Sequence, residues 1–126
     1  MDHNPPPLAG KRLLVVEDEW LVSLMVQETA QELGCEIAAT AARLADAIRL
    51  AREAPFDILV LDLNLGGEHS FEVARIARER GKPVLFASGY SAPILPAEFS
   101  GALLLQKPFL AESFQAALLA AARQSN

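Results

Sequence analysis

Short apolar runs alternate with segments of helical periodicity along most of this sequence. The apolar runs, each about as long as a strand, lie near 12–17, 36–40, 57–61, 83–87 and 102–105. Between them, apolar residues recur at spacings of three and four, most clearly at Leu44, Ala47, Ile48 and Ala51. The alternation predicts repeated strand–helix–strand units. Runs that are apolar on both faces predict a parallel sheet covered by helices on each side.

Topology rules narrow this α/β architecture further. Crossovers between parallel strands are right-handed, so a chain that winds outward and then back gives a doubly wound, five-stranded sheet of order 2-1-3-4-5. In such a sheet, ligands bind at the carboxyl ends of the strands, where the winding reverses between the first and third strands. Chemistry-bearing residues are therefore expected at that edge.

The connection between the fourth and fifth strands departs from the alternation of strands with regular helices. Residues 91–99 contain Pro93 and Pro96, and proline inside a helix costs about 3 kcal/mol. The sequence therefore predicts an irregular or shortened fourth helix, with at most a single turn that begins at Pro96.

Length and composition fit one folded domain with a short arm. The 126 residues are 52% hydrophobic, which is enough to build a full core. Residues 1–10 include three successive prolines and predict a flexible proline-rich arm, which leaves 11–124 as the domain.

Charge and cysteine content exclude several classes of function. The net charge of −5 and the pI near 5.0 argue against a nucleic-acid partner, since no basic run could neutralise phosphates. Cys35 is the single cysteine, which excludes an intrachain disulfide and a thiolate metal cluster. The start lacks the apolar core of a signal peptide and no apolar run reaches membrane-spanning length, so a cytoplasmic location without a membrane partner is expected.

Polar residues that can do chemistry stand where four of the predicted strands end. Glu17 and Asp18 follow the first apolar run, Asp62 the third, Ser88 the fourth and Lys107 the fifth. Because the carboxyl ends of parallel strands meet at one edge, these acids, the hydroxyl and the amine are expected to lie together. The pattern is typical of an active site.

The crowded carboxylates predict a metal site. Three carboxylates close together repel one another unless a cation is present, and Mg²⁺ accepts one or two of them while it keeps water ligands. Asp18 and Asp62 are the candidate direct ligands, and Glu17 is expected to act through water. The main-chain carbonyl of Asn64 is the candidate for the remaining protein ligand.

Asp62 is also the candidate nucleophile. Its carboxylate can attack phosphorus and form an aspartyl phosphate, a reaction that depends mainly on positioning and charge stabilisation. Lys107 is expected to supply a mobile positive donor, and the hydroxyl of Ser88 is expected to donate to a phosphoryl oxygen.

Each motif also has a simpler structural interpretation. The first acidic pair alone is more typical of a helix cap than of catalysis. Glu19 is expected to stabilise the first turn of the following helix through its dipole, and Trp20 is expected to be a partly exposed residue beside the site. The combination with Asp62 and Lys107 favours the metal site.

Four segments together resemble the receiver domain of response regulators, the CheY-like superfamily. They are LLVVEDE (13–19), ILVLDLNLGG (58–67), VLFASGY (84–90) and QKPF (106–109). The resemblance covers about 11–124 and implies a flavodoxin-like (βα)5 sandwich and a phosphoacceptor of two-component signal transduction that uses Mg²⁺. It also implies the roles of the acidic pair for Glu17 and Asp18, phosphoacceptor for Asp62, switch hydroxyl for Ser88 and active-site lysine for Lys107.

Residues 82–90 resemble more narrowly the "FAT GUY" group of mostly single-domain receivers in alphaproteobacteria, with Ser88 in place of the usual threonine. This implies a stand-alone receiver whose partner is a histidine kinase of the HWE or HisKA2 class or a phosphotransfer protein. A downstream protein partner is also implied, and the sequence does not identify it. Such a chain is not an enzyme, apart from catalysing its own phosphorylation and dephosphorylation.

Two positions bear on how such a receiver signals. Leu104 stands where most receivers have an aromatic residue, and because it has no polar tip it is expected to stay packed. Tyr90 lies past Ser88 in a loop hinged by Gly89. It is expected either to carry the signal or to shield the site and tune hydrolysis.

Two other functions stay open. A small Mg²⁺-dependent phosphatase or phosphotransferase of the haloacid-dehalogenase type also uses a strand-end aspartate, but that class needs a second aspartate at the position of Asn64. A pseudo-receiver that binds partners without phosphorylation would usually lack Asp18, Asp62 or Lys107, and all three are present.

Overall fold

The computed structural model describes residues 5–89 and 95–124. The strands are β1 (Arg12–Val16), β2 (Glu36–Ala41), β3 (Ile58–Asp62), β4 (Asn64–Leu65), β5 (Glu68–His69), β6 (Val84–Ser88) and β7 (Leu103–Gln106). The helices are α1 (Trp20–Glu32), α2 (Leu44–Glu53), α3 (Phe71–Glu79) and α4 (Ala111–Ala122). No helix within the described ranges is long and apolar enough to cross a bilayer.

Five strands form one parallel sheet in the order β2-β1-β3-β6-β7. The strands β4 and β5 form a separate two-residue antiparallel hairpin. With the hairpin left out of the count, the order is 2-1-3-4-5, so the predicted doubly wound, flavodoxin-like sheet is confirmed. Its winding reverses between β1 and β3.

Alternate residues of each strand supply two separate cores. Leu59 and Leu61 of β3 pack with α2 and α3 on one face of the sheet. Ile58 and Val60 pack with α1 and α4 on the other face. Because successive side chains of a strand point to opposite faces, a strand covered on both sides has to be apolar throughout. This is why β3 contains a single polar residue, at its carboxyl end.

A 3₁₀ turn, Ala97–Phe99, takes the place of a fourth helix in the described part of the connection between β6 and β7. It begins directly after Pro96, as predicted. Pro93 and Tyr90 lie outside the described residues. The ring of Phe99 is fully buried and contacts Phe86 at a centroid distance of 5.3 Å. The prediction of a shortened fourth helix is confirmed.

Side chains of α3 hold this turn in place. The guanidinium of Arg75 donates to both carboxylate oxygens of Glu98, at 2.9 and 3.1 Å. Arg78 donates to the main-chain carbonyl of Glu98 and lies 4.7 Å from the centre of the Phe99 ring. The turn is therefore fixed to the neighbouring helix by charge as well as by a buried ring.

The amino-terminal boundary differs from the prediction. Leu8 is buried in the core formed with α1 and α4, and its N–H donates to the carbonyl of Leu33 at 2.8 Å. The N–H of Gly10 donates to the carbonyl of Gly34 at 3.2 Å. The prediction of a flexible arm through residue 10 is therefore wrong for Leu8–Gly10. A leucine after three prolines finds a buried place beside the end of α1, which a pattern of prolines does not reveal.

The packing expected for Leu104 is also wrong. Leu104 is 49% exposed, while Leu103 and Leu105 pack toward the core formed with α1 and α4. The strand β7 lies at an edge of the sheet. Among the described residues, the 3₁₀ turn covers Phe86 of the neighbouring strand and leaves Leu104 half in solvent. The shortened fourth connection is the physical reason.

Candidate functional site

Glu17 and Asp62 lie side by side at the carboxyl edge of the sheet. Val16 of β1 pairs with Leu61 of β3, so the residues that follow them emerge next to each other. Both carboxylates are nearly inaccessible, with residue exposures of 6% for Glu17 and 5% for Asp62. Two buried carboxylates at adjacent strand ends disfavour each other's charge. The edge therefore needs a cation.

Asp18 and Glu19 extend this pair into an acidic cluster that reaches the solvent. Ligand oxygens of Glu17, Asp18, Glu19 and Asp62 all lie within 4.8 Å of one another. Asp18 Oδ2 accepts a hydrogen bond from the Gly66 N–H at 3.0 Å. Although partial burial disfavours its charge, hydrogen bonding lowers the pKa of Asp18 below its ordinary value. Asp18 is thus a charged and accessible carboxylate.

The Lys107 ammonium lies among these acids. Its Nζ donates to the carboxylates of Glu17 and Asp62, each at 2.8 Å, and to Glu19 Oε1 at 2.9 Å. Burial alone would favour loss of the proton, but the three carboxylates raise the pKa of Lys107 above the usual lysine value. The structure therefore brings the predicted lysine into direct contact with two of the predicted acids.

Among the described residues, the cluster of four carboxylates contains one ammonium, that of Lys107, which is ion-paired with three of them. Burial raises the pKa of Glu17 to about 8, and the hydrogen bond from Lys107 opposes that shift. Without further positive charge, the ionised form of Glu17 is therefore disfavoured at this edge. Excess negative charge on oxygen ligands is the setting that hard divalent cations such as Mg²⁺ select.

The loop that follows Asp62 is a tight β-hairpin. Gly66 and Gly67 join β4 to β5 with φ angles of 58° and 91°. A two-residue hairpin turn of this hand requires positive φ at both positions, which glycine adopts without strain. The turn aims the Gly66 N–H at Asp18, a contact that the sequence interpretation missed although the glycine pair was visible.

Ser70 is a second residue that the sequence interpretation missed. It is fully buried, and its Oγ donates to the main-chain carbonyl of Asp62 at 2.5 Å. Its N–H donates to the carbonyl of Leu63 at 3.1 Å. A serine just before a helix ordinarily reads as a helix cap, so nothing in the sequence distinguished it. Ser70 fixes the backbone on which the Asp62 side chain stands.

Asn64 and Ser88 lie at the same edge, and their described contacts are local. The Asn64 N–H donates to Asp62 Oδ1 at 3.0 Å, and Asn64 Oδ1 accepts from the Gly67 N–H at 2.7 Å. Ser88 is buried, and its Oγ donates to the Gly89 carbonyl at 3.2 Å. A metal-ligating carbonyl for Asn64 and a switch hydroxyl for Ser88 stay predictions.

Glu19 has a different part from the one predicted. It lies at the N-cap position of α1, ahead of the first turn, and makes no side-chain capping hydrogen bond. Its carboxylate instead accepts from Lys107, which is 88 residues away along the chain. The expected role as a first-turn acid is therefore wrong. Trp20, beside it, is exposed at 71%, more fully than expected.

The donor set at this edge fits a magnesium ion. Asp18, Asp62 and Glu17 offer carboxylate oxygens at one place, and Asp18 is open to solvent that can supply water ligands. A cleft of about 400 Å³ beside α1, lined in part by Glu17 and Asp18, gives access. Asp18 and Asp62 are the residues that would hold the ion directly, with Glu17 acting through water.

Known proteins share both the sequence features and the fold. The family model described as "response regulator receiver domain" matches residues 13–118. No curated protein is significantly similar to this chain in sequence. SdrG from Sphingomonas melonis Fr1, a solution structure, is 33% identical with a TM-score of 0.78, and the match covers 88% of this chain and 95% of SdrG.

Two further structures agree in fold. The REC domain of the response regulator PhyR from Erythrobacter litoralis is 24% identical with a TM-score of 0.81, and the match covers 94% of each chain. A response regulator receiver protein from Sinorhizobium medicae WSM419 is 24% identical with a TM-score of 0.77, over 93% of this chain and 98% of that one.

Proposed function

This chain belongs to the family of response regulator receiver domains, modules of two-component signalling, and on that premise we propose that it is a phosphoacceptor whose acceptor residue is Asp62. A histidine kinase of the HWE or HisKA2 class, or a phosphotransfer protein, would supply the phosphoryl group in a Mg²⁺-dependent reaction. The observation that carries the proposal is the contact of 2.8 Å between Lys107 Nζ and Asp62 Oδ2 inside an acidic cluster.

The surroundings of Asp62 suit nucleophilic attack on phosphorus. An Asp62 oxygen would form the new O–P bond while the bond from phosphorus to the donor's imidazole nitrogen breaks, and the imidazole leaves with the electron pair. The Asn64 N–H and the Lys107 ammonium each contact one oxygen of the carboxylate, which fixes its orientation. Mg²⁺ bound by Asp18 and Asp62 would supply positive charge to the phosphoryl oxygens.

The signal would reach a partner protein through the connection between β6 and β7. Ser88 ends β6 directly before this connection, and its hydroxyl could exchange the Gly89 carbonyl for a phosphoryl oxygen. The far end is held, because Glu98 is paired with Arg75 and Phe99 is buried. Rearrangement is therefore expected between residues 88 and 96, a stretch that contains the candidate Tyr90.

Intact mass after incubation with acetyl phosphate and Mg²⁺ tests the acceptor. Wild-type protein is expected to gain the mass of one phosphoryl group, and Asp62→Asn is expected to gain none. Asp57→Asn is the matched control, because Asp57 precedes the same strand at its opposite end. Equal labelling of wild type and Asp62→Asn would contradict the assignment. Labelling in EDTA that matches labelling in Mg²⁺ would contradict the metal requirement.

Amide chemical shifts with and without beryllofluoride test the output route. Large changes are expected within 88–96, and small ones within β7, including Leu104. Changes concentrated in 102–107, with 89–96 unaffected, would contradict it.

A further inference from the structure

The hairpin loop that follows β3, residues 63–69, contacts both carboxylates that would hold the magnesium ion directly. Near its start, the Asn64 N–H donates to Asp62 Oδ1 at 3.0 Å. At its tip, the Gly66 N–H donates to Asp18 Oδ2 at 3.0 Å, across 48 positions of the sequence. Main-chain donors of one loop therefore orient both carboxylates. The position of this loop decides how the two side chains present their oxygens to an ion.

Ser70 closes the hairpin loop through two hydrogen bonds to the place where the loop begins. Its Oγ donates to the main-chain carbonyl of Asp62 at 2.5 Å, and its N–H donates to the carbonyl of Leu63 at 3.1 Å. Because Ser70 is fully buried, solvent water does not compete for either contact. One residue thus ties the far end of the loop to its start and holds the peptide after Asp62 in one orientation.

The hydroxyl of Ser70 is not used as its position in the chain would suggest. A serine directly before a helix ordinarily caps it, with the side-chain oxygen accepting a hydrogen bond from an N–H of the first turn. Within the described residues, the Ser70 side chain makes no capping hydrogen bond to α3. Its hydroxyl is directed instead at the carboxyl end of β3. The side chain therefore contacts the candidate phosphoacceptor rather than its own helix.

We propose that Ser70 is a positioning residue for the metal site. Its hydroxyl holds the hairpin loop in the form whose N–H groups orient Asp62 and Asp18. The proposal rests on the proposed function, because it assumes that this edge of the sheet binds Mg²⁺. When the hydroxyl is lost, the peptide after Asp62 can rotate and the loop is free to move. The two carboxylates then have to be ordered as the ion binds, and the cost of that ordering weakens binding.

Titration of wild type and Ser70→Ala with Mg²⁺ alone, followed by amide chemical shifts, tests the proposal. The dissociation constant is expected to rise about tenfold in Ser70→Ala, the low end of the range for groups that orient metal ligands from outside. The titration is made where the variant is fully folded, so a lower free energy of unfolding would not by itself raise this constant. An unchanged dissociation constant would overturn the proposal.

Amide hydrogen exchange in the same two proteins shows where the loss acts. The Asn64 and Gly66 amides are expected to exchange faster in Ser70→Ala, relative to the amides of β1, because the hairpin loop opens locally. Loss of protection that is uniform over the domain would overturn the proposal, since it would show that the hydroxyl stabilises the fold as a whole.

Thr29→Val is the matched control for loss of a buried hydroxyl. Thr29 is 6% exposed, and its Oγ1 donates to Met25 Sδ at 3.8 Å within α1. The variant is expected to bind Mg²⁺ within about twofold of wild type, because sites without shared partners couple weakly. A rise in the dissociation constant equal to that of Ser70→Ala would overturn the proposal in favour of a general effect of core disruption.

Ser70→Cys keeps the proposal testable if Ser70→Ala does not fold. The cysteine side chain is close in size to that of serine, but its thiol is a weak donor. A dissociation constant for Mg²⁺ above the wild-type value is therefore still expected. A wild-type value in Ser70→Cys would overturn the proposal.

Separate outcomes distinguish this proposal from the function on which it rests. If wild type binds Mg²⁺ and gains a phosphoryl group, while Ser70→Ala binds Mg²⁺ equally tightly, the Ser70 proposal alone is overturned. If wild type binds Mg²⁺ but gains no phosphoryl group, the phosphoacceptor function fails, and weaker Mg²⁺ binding by Ser70→Ala still confirms the positioning role. If wild type binds no Mg²⁺, the metal requirement fails and the Ser70 proposal falls with it.

Discussion

The two ends of strand β3 carry the same residue type in opposite electrostatic settings. Asp57 stands just before the strand and faces one arginine, with the Arg12 main-chain N–H at 2.8 Å and its guanidinium Nε at 3.2 Å. Asp62 ends the strand and shares the Lys107 ammonium with two glutamates. Charge is matched at the first end and is in excess at the second.

The difference in charge balance distinguishes an aspartate that stabilises the fold from one that is suited to bind a ligand. Burial disfavours the charge of Asp57, but hydrogen bonds from Arg12 lower its pKa below the ordinary value. At the other end, burial and, to a smaller extent, the neighbouring Asp62 carboxylate raise the pKa of Glu17, so the folded protein carries an unfavourable charge there that is partly electrostatic repulsion. Repulsion that a bound cation can relieve is typical of a functional site, and a satisfied ion pair is typical of a structural one.

The largest expected effect comes from magnesium. A ligand that binds only the folded protein adds about 2.7 kcal/mol to the free energy of unfolding at about 100 times its Kd. Wild type and Asp57→Asn are expected to show this increase in urea denaturation, and Asp62→Asn and Asp18→Asn are expected to lose most of it. An increase of equal size in Asp62→Asn would place the ion elsewhere.

Replacement of aspartate by asparagine is expected to change the free energy of unfolding in opposite directions at the two ends of β3. Without Mg²⁺, Asp57→Asn should lower the free energy of unfolding by about 1–3 kcal/mol, because the Arg12 N–H loses a charged acceptor. Asp62→Asn should raise it, by up to about 1 kcal/mol, because it removes one of several crowded carboxylates. Urea denaturation in EDTA measures both. Destabilisation by both variants would show that Lys107 fully compensates the acidic cluster.

Acid should remove the contribution of the Asp57–Arg12 pair to the free energy of unfolding. The pKa of Asp57 is lower in the folded protein than in the unfolded chain, so its stabilisation is fully present above about pH 4. It is lost as the pH falls through the folded pKa. The difference in unfolding free energy between wild type and Asp57→Asn is therefore expected to stay constant from about pH 7 to about pH 5 and to shrink below about pH 4. A difference that persists at about pH 2 would contradict the ion-pair explanation.

The smallest change in the free energy of unfolding is expected at the edge of the sheet. There, side-chain packing rather than charge determines the effect of a substitution. Leu61, Phe86 and Leu104 lie in one row across β3, β6 and β7. Leu104→Ala should cost about 0.5 kcal/mol, as for a surface position, while the matched Leu61→Ala should cost about 2–5 kcal/mol. Thermal melts of the two variants measure this. A cost above about 2 kcal/mol for Leu104→Ala would indicate that this side chain is packed, as the sequence predicted.

The sequence by itself determined the sheet and the sites where its strands end. Apolar runs of strand length, the helical spacing between them and the handedness of crossovers are local or general constraints, so they gave the strand order and placed Asp62, Glu17 and Lys107 at one edge. Proline chemistry is also local, which is why the turn after Pro96 could be predicted.

The tertiary structure decided which side chains meet across long stretches of chain. It brought the Glu19 carboxylate into contact with the Lys107 ammonium and the Leu8 N–H into contact with the Leu33 carbonyl. It also paired the Glu98 carboxylate with the Arg75 guanidinium. It also left Leu104 half exposed, because the shortened connection covers the neighbouring strand instead. Periodicity fixes the face on which a residue lies but not the distance or angle between elements, and contacts of a few ångströms depend on both.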